Sequence, residues 1–132
     1  MPVAIYTVMK VAIPYWQGRV SPVFDFSTNL LIVDCRDGKT LDSYRLHITG
    51  HGAPSRAARI RMEGVELLIC GALSRLAEES LAASGIRVIP GVCGPVEDIL
   101  HAYLENRLAS PAFSLPGTRP DRFMGKEEVT GD

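Results

Sequence analysis

Apolar and polar residues along the chain form two recurring patterns, short apolar runs and longer amphipathic stretches. Short runs bounded by glycine, proline or an Asp-Gly turn are typical of β-strands. Stretches of helix-forming residues with a capping serine or an early proline at the start, or a glycine at the end, are typical of α-helices. The predicted strands are residues 8–14, 29–35, 40–48, 65–71 and 86–92, and the predicted helices are residues 54–63, 75–84 and 95–108.

The order of these segments, β-β-β-α-β-α-β-α, predicts an α/β fold with a mixed sheet. The Asp37-Gly38 turn joins the second and third strands as an antiparallel hairpin. Right-handed crossovers through the helices place strands one, four and five side by side and parallel, with helices on both faces. We therefore predict a three-layer α/β/α sandwich whose five-stranded sheet has the order 3-2-1-4-5, with strand 2 antiparallel.

Length and composition favour one small domain followed by a tail. The 132 residues are enough to bury a substantial core without disulfides or metals. Residues 1–108 form the predicted domain, and residues 109–132 are rich in proline and glycine, which predicts a partly disordered tail. Within the tail, only residues 112–117 are apolar enough to dock on the domain. We assign no function to residues 1–8.

Charge and cysteine content exclude several classes of partner. A formal net charge of -1 provides no positive field for nucleic acid or for an anionic membrane surface. No run of about 18 apolar residues is present, so no membrane span is expected. The three cysteines lack zinc-type spacing and no export signal precedes them, which favours a reducing compartment, the cytoplasm.

Soft metal ligands are predicted to gather at one edge of the sheet. The parallel strands end at that edge, where open α/β sheets usually bind ligands. Cys70, Cys93, the loop that holds His51 and residues 15–27 lie there in the predicted topology, whereas Cys35 lies at the opposite edge. Cys93 precedes a predicted helix, a position typical of functional thiols. Packing is the alternative role for the cysteines, above all for Cys70 in its apolar strand.

Two arginines suggest a site for an anion near the same edge. Arg19 stands in the loop after the first strand, and Arg56 follows the glycines that precede the first helix. Guanidinium groups beside free backbone N–H groups favour an anion. The alternative is a solvated arginine face, which Glu63 and Glu66 can neutralise. A nuclease is disfavoured, because the first strand has no carboxylate and Asp34 ends the second strand at the opposite edge.

The loop between the first two predicted strands is unusually apolar. An aromatic side chain hides roughly 150–250 Å² when it is buried, which is enough to order a loop of this size. We expect Phe24, together with Phe26 or Trp16, to pack against the domain, while Arg19 stays exposed.

Three longer segments carry a family resemblance. They are "KVAIPYWQGRVSPVFDFSTNLLIVD", "GVELLICGAL" and "GIRVIPGVCGPVEDILHAYLENRL", which occupy residues 10–34, 64–73 and 85–108. The chain resembles the dinitrogenase iron-molybdenum cofactor biosynthesis family, the NifX type of domain that also occurs at the C-terminus of NifB. The resemblance implies a ribonuclease H-like fold, and a non-catalytic protein that binds or carries an iron-sulfur or iron-molybdenum cluster precursor.

The resemblance also implies which loop contacts the cofactor. The family's loop after the first strand approaches it, and the matching segment here contains Ser21, Phe24 and Asp25. Several cofactor-binding members have a histidine where this chain has Val23, and Asp25 replaces a glycine. The sequence "SPVFD" is more similar to a distinct branch of the family.

From these residues we predict a protein that holds its cluster only transiently. Cys93 and His51 are the predicted metal ligands, Cys70 is a candidate to join them, and Arg19 and Arg56 balance the charge of the cargo. The predicted partners are the cluster precursor or a protein that donates or accepts it, and the chain is expected to be a monomer or a weak homodimer. Two alternatives stay open: an interaction or regulatory module that binds no cluster, and a small enzyme with Cys93 as its nucleophile.

Overall fold

The computed structural model describes residues 8–49 and 52–114. This part of the chain contains six β-strands, three α-helices and two short 3-10 turns at Phe24–Phe26 and Pro111–Phe113. The strands are β1 (Met9–Trp16), β2 (Arg19–Val20), β3 (Asn29–Arg36), β4 (Lys39–His47), β5 (Leu67–Ile69) and β6 (Arg87–Ile89). The helices are α1 (Ala53–Met62), α2 (Arg75–Ala83) and α3 (Val96–Leu104).

The strands form one mixed sheet, as the sequence predicts. Its order is β4-β3-β1-β5-β6, and β2 pairs with β1 outside this path. Strand β3 runs antiparallel to both β1 and β4, whereas β5 is parallel to β1 and β6 is parallel to β5. The sheet is therefore open and parallel on one side of β1 and antiparallel on the other.

The expectation of five strands is wrong by one, because the sequence signal for β2 is weak. Strands β1 and β2 form a hairpin in which Trp16 pairs with Arg19. The two residues between them, Gln17 and Gly18, both have positive φ, 54° and 77°. A two-residue hairpin needs this conformation, but its usual signal is Asn-Gly or Asp-Gly, and glutamine rarely adopts it.

Two apolar layers enclose the sheet. Along β1, Val11 and Ile13 face helix α3, whereas Ala12 faces α1 and α2. Strand β5 is buried on both faces, as a continuous apolar run in a parallel sheet predicts. Helix α3 covers only part of the sheet face on which it packs. This leaves a groove of about 630 Å³ between α3 and strands β3 and β4. No helix in the described ranges has the length and apolar character needed to cross a membrane.

The helix ends explain where the predicted boundaries hold and where they fail. Ser74 caps α2 as its sequence position predicts, because its Oγ accepts a hydrogen bond from the Ala77 amide at 3.0 Å. Helix α3 ends at Leu104, four residues earlier than predicted. Asn106 there has φ 59° and the Arg107 amide donates to Ala102 O at 2.7 Å, which is the capping geometry that ends a helix.

Candidate functional site at the carboxyl edge of the sheet

Residues 21–28, here called the rim loop, fold onto the carboxyl end of β5. The Phe24 amide donates to Ala72 O at 2.7 Å, and the Ala72 amide donates to Pro22 O at 2.8 Å. Between these bonds lies Gly71, where a Cβ atom would stand 2.6 Å from the carbonyl oxygens of both Ser21 and Pro22. The close approach therefore requires glycine at position 71.

Arg56 fastens the rim loop from below. Its Nη2 donates to Phe24 O at 2.7 Å and to Ser27 O at 2.6 Å, and its guanidinium lies 4.8 Å from the centre of the Phe24 ring. The residue is 5% exposed. Burial lowers the pKa of Arg56, and the charge of Asp25 partly opposes that effect. Arg56 is thus a buried cation whose Nη2 donates to the loop backbone, whereas its buried Nε has no hydrogen-bond partner among the described residues.

Asp25 ties the same loop to the start of helix α2. Its two carboxylate oxygens accept hydrogen bonds from the Ser74 amide at 2.8 Å and from the Ser74 hydroxyl at 2.6 Å. A carboxylate at a helix N-terminus is also favoured by the helix dipole. Both carboxylate oxygens of Asp25 therefore accept hydrogen bonds from the protein itself.

The aromatic residues of this edge divide into one buried and two exposed side chains. Phe24 is fully buried, as expected. The expectation that Phe26 or Trp16 packs beside it is wrong, because the two are 83% and 61% exposed. Both line a pocket of about 370 Å³ at the surface of the rim loop. Phe24 and Arg56 are buried against each other, whereas Phe26 and Trp16 lie at the surface.

Ser21 and Arg19 also lie at this edge, in different environments. Ser21 is buried, and its amide donates to Pro14 O at 2.9 Å at the end of β1. Arg19 is exposed, as expected. It pairs with Pro95 across an isolated bridge, and the neighbouring Val20 amide donates to Gly94 O at 2.9 Å. Strand β2 thereby brings Arg19 beside the segment that follows Cys93.

The structure describes all three cysteines and gives them different environments. Cys70 follows β5 and is completely buried on the α1–α2 side of the sheet. Burial raises the pKa of Cys70, and the charges of Asp25 and Glu78 raise it further. Cys35 is buried near the opposite edge, where burial and Asp34 raise its pKa. Both thiols are therefore held in the protonated form.

Cys93 is the one cysteine that is only partly buried. It follows β6, and residues 111–114, here called the strap, lie against it. The Cys93 amide donates to Phe113 O at 2.8 Å and the thiol donates to Ser114 O at 3.4 Å. Of the apolar segment 112–117 predicted to dock, residues 113 and 114 contact the domain, and residues 115–117 lie outside the described residues.

Of the two predicted metal ligands, the part of the chain that the structure describes contains Cys93 alone. His51 lies outside the described residues. Within the described ranges, no three or more His, Cys, Asp and Glu side chains are grouped so that they could hold a metal ion. Sequence reasoning placed Arg56 and Asp25 near a ligand but missed their contacts with the rim loop and with Ser74. The partners in these contacts are separated by between 29 and 49 positions along the chain. No local sequence pattern indicates such pairs.

Comparison with known proteins identifies the family. The family model described as dinitrogenase iron-molybdenum cofactor matches residues 7–106. The chain belongs to this family. No match was found among the curated proteins.

Three solved structures share the fold. The protein PH0822 has a TM-score of 0.72 and 24% identity over 76% of this chain and 92% of its own. A Thermotoga protein described as a candidate NifB has a TM-score of 0.60 and 27% identity, over 75% of this chain and 90% of its own. The orange protein of Desulfovibrio gigas, in its apo form, has a TM-score of 0.64 and 22% identity, over 82% of this chain and 97% of its own.

Proposed function

We propose that this protein carries an iron-sulfur or iron-molybdenum cluster precursor during metallocluster assembly, with Cys93 as its ligand to iron. Membership of the iron-molybdenum cofactor family supports this class of cargo. The observation that carries the proposal is the difference between the cysteines: Cys93 alone is not buried. Thiolates are the usual protein ligands of iron-sulfur clusters.

The small number of accessible ligands suits a carrier better than a resident cofactor. Tightly held clusters usually take four cysteines, whereas this chain has three in all, two of them buried. A cluster held by Cys93, with His51 as the proposed second ligand, would be released easily to an acceptor. Exposed Arg19, which strand β2 brings beside Pro95, would offset the negative charge of such a cargo.

The other predicted site residues take supporting roles in this proposal. Ser21, Phe24, Asp25 and Arg56 shape and fasten the rim loop through contacts within the protein, and direct contact of these residues with cargo stays a prediction. Burial of the Cys70 thiol disfavours its participation in the folded state. The strand order and the helices on both faces support the ribonuclease H-like assignment of the fold.

We propose no catalytic step. The Cys93 thiol donates to a backbone carbonyl, whereas a nucleophilic cysteine needs a basic side chain that removes its proton. A reducing compartment such as the cytoplasm suits a chain whose three cysteines are all free. The chain would act as a monomer or weak homodimer.

A second candidate function, an interaction module without a cluster, is favoured by the exposed aromatics. Trp16 and Phe26 flank one pocket at the same edge of the sheet. Exposed aromatic side chains are enriched at protein interfaces. A protein that donates or accepts a cluster would fit this surface, so the two functions share the same edge.

An anaerobic retention experiment distinguishes the two functions. The purified chain is incubated with iron and sulfide, desalted, and examined by visible absorption and iron analysis. We expect the wild type to retain iron, Cys93→Ala to lose it, and Cys35→Ala, a matched change at a buried thiol, to retain it. Circular dichroism verifies that both variants are folded. Failure of the wild type to retain iron, or equal retention by the two variants, would favour the interaction module.

A further inference from the structure

The strap holds Cys93 through backbone contacts at two successive residues. Val92 pairs with Ser114 in an antiparallel bridge, and the Cys93 amide donates to Phe113 O. The Phe113 side chain packs against the α3-side core. Its Cδ1 lies 3.9 Å from the position that a Cβ on Gly94 would take. The strap thus continues the sheet edge beyond β6 and covers the segment that contains the thiol.

The same contacts limit access to the sulfur of Cys93. Ser114 O lies 3.4 Å from Sγ and accepts a hydrogen bond from the thiol, so the carbonyl occupies one direction from which a metal or reagent would approach. A sulfur that has been alkylated or bound to a metal has no proton to donate, and it therefore loses this contact with Ser114. Alkylation of Sγ or its binding to a metal therefore disfavours the closed strap, and the closed strap disfavours both reactions.

The strap is also held less firmly than the core elements. The Ser114 Oγ is buried, yet it has no hydrogen-bond partner among the described residues. A buried hydroxyl without a partner is destabilising. Phe113 and Ser114 themselves are only half-buried. Segments with few buried contacts open locally at a lower free energy than global unfolding requires.

From these observations we propose that the strap is a gate over Cys93, closed over the free thiol and displaced when Cys93 is substituted. The gate would give the proposed carrier two states, one that shields the empty thiol and one that exposes the ligand for loading. This biological meaning rests on the function proposed above. The gating itself is a property of residues 92–94 and 111–114, and its test requires no cluster.

Thiol labelling measures the gate directly. The full chain reacts under native conditions with a neutral aromatic disulfide, and absorption of the released thione gives the rate. Cys35 and Cys70 are buried, so the fast phase reports Cys93, and Cys93→Ser supplies the background. Phe113→Ala removes the ring that anchors the strap, and we expect labelling about tenfold faster. Phe26→Ala, the same change at an exposed ring, should leave the rate unchanged.

A second variant is expected to act in the opposite direction. Ser114→Ala replaces a buried hydroxyl that has no partner within residues 8–49 and 52–114 with a methyl group, which should strengthen closure and slow labelling about threefold. Hydrogen exchange at the Cys93 amide reports opening of the same strap. Exchange of this amide should be faster in Phe113→Ala and slower in Ser114→Ala, by factors similar to those for labelling. If the strap covers the thiol without opening, the variants would change the labelling rate alone.

Each result for these variants either supports or overturns the gate. If Phe113→Ala is folded, it decides the question: faster labelling with faster amide exchange supports the gate, and any other result overturns it. If Phe113→Ala is unfolded, all three thiols react, and Ser114→Ala decides: slower labelling supports the gate and an equal or faster rate overturns it. A gate that passes these tests in a chain that retains no iron would refute the carrier function alone.

Discussion

Gly71 is the position where a single methyl group should disturb the candidate site most specifically. Its backbone φ lies outside the left-handed region, so alanine could adopt the same conformation. The added Cβ would nevertheless stand 2.6 Å from the carbonyl oxygens of both Ser21 and Pro22. Neither oxygen is the end of a flexible side chain, because both belong to the backbone of the rim loop. Gly71→Ala must therefore displace the loop or strain the end of β5.

Both ways of relieving this clash lead to a similar cost. If the loop moves away, the two backbone hydrogen bonds between Phe24 and Ala72 and between Ala72 and Pro22 are lost, at about 0.5–1.5 kcal/mol each. If the loop stays, overpacking costs about 1–3 kcal/mol. We expect Gly71→Ala to lower the free energy of unfolding by about 1–3 kcal/mol by either route.

Urea unfolding followed by fluorescence of Trp16, the one tryptophan of the chain, measures this loss. Gly18→Ala is a useful control, because a Cβ there meets nothing within 4 Å and the cost comes from a positive φ alone. Amide exchange separates the two variants. In Gly71→Ala the Phe24 and Ala72 amides should lose protection more than the β3 amides do. Wild-type stability and unchanged exchange at Phe24 would refute the steric reasoning.

Two further predictions concern ionisable groups. Arg56→Met leaves the carbonyls of Phe24 and Ser27 without their charged donor, and urea unfolding should show a loss of about 2–4 kcal/mol; unchanged stability would mean that the aliphatic chain alone supports the loop. A hydrogen bond from Tyr44 lowers the pKa of Glu63, so this carboxylate stabilises the fold fully above the ordinary glutamate pKa, and the contribution is lost as pH falls through the lowered value. Tyr44→Phe should lower the free energy of unfolding by about 0.5 kcal/mol at neutral pH, a small effect because the pair is partly exposed. The difference in stability from the wild type should shrink in acid. A difference that stays constant with pH would contradict this assignment.

Local sequence patterns predict most of the strands and helices of the fold. The continuous apolar run around β5 and the capping serine at position 74 specify a buried strand and a helix start without help from distant residues. The sequence does not predict the β1–β2 hairpin, because Gln17 adopts a left-handed conformation that is unusual for glutamine. The end of α3 was misplaced because Asn106, and not a glycine, adopts the left-handed conformation that ends the helix.

The candidate site was harder to predict, because residue type does not reveal which functional groups the fold itself uses. Arg56 has the chemistry of an anion ligand, but its Nη2 donates to the backbone of a loop 29 residues away. Cys70 has the chemistry of a metal ligand, but it packs as an apolar side chain. Topology placed both near the correct edge of the sheet. Only long-range contacts could show that they face the interior of the protein.

The contacts of Asp25 and Arg56 bear on how this chain could hold a cargo. The carboxylate of Asp25 accepts hydrogen bonds from the amide and the hydroxyl of Ser74. Arg56 holds the same loop from the opposite side, and Asp25 helps to keep the buried guanidinium charged. A loop fastened at both points is poorly suited to fold over a cluster. If the chain carries one, as proposed, we expect the first contact at the neighbouring segment around Cys93, where the thiol is partly exposed and the proposed gate covers it.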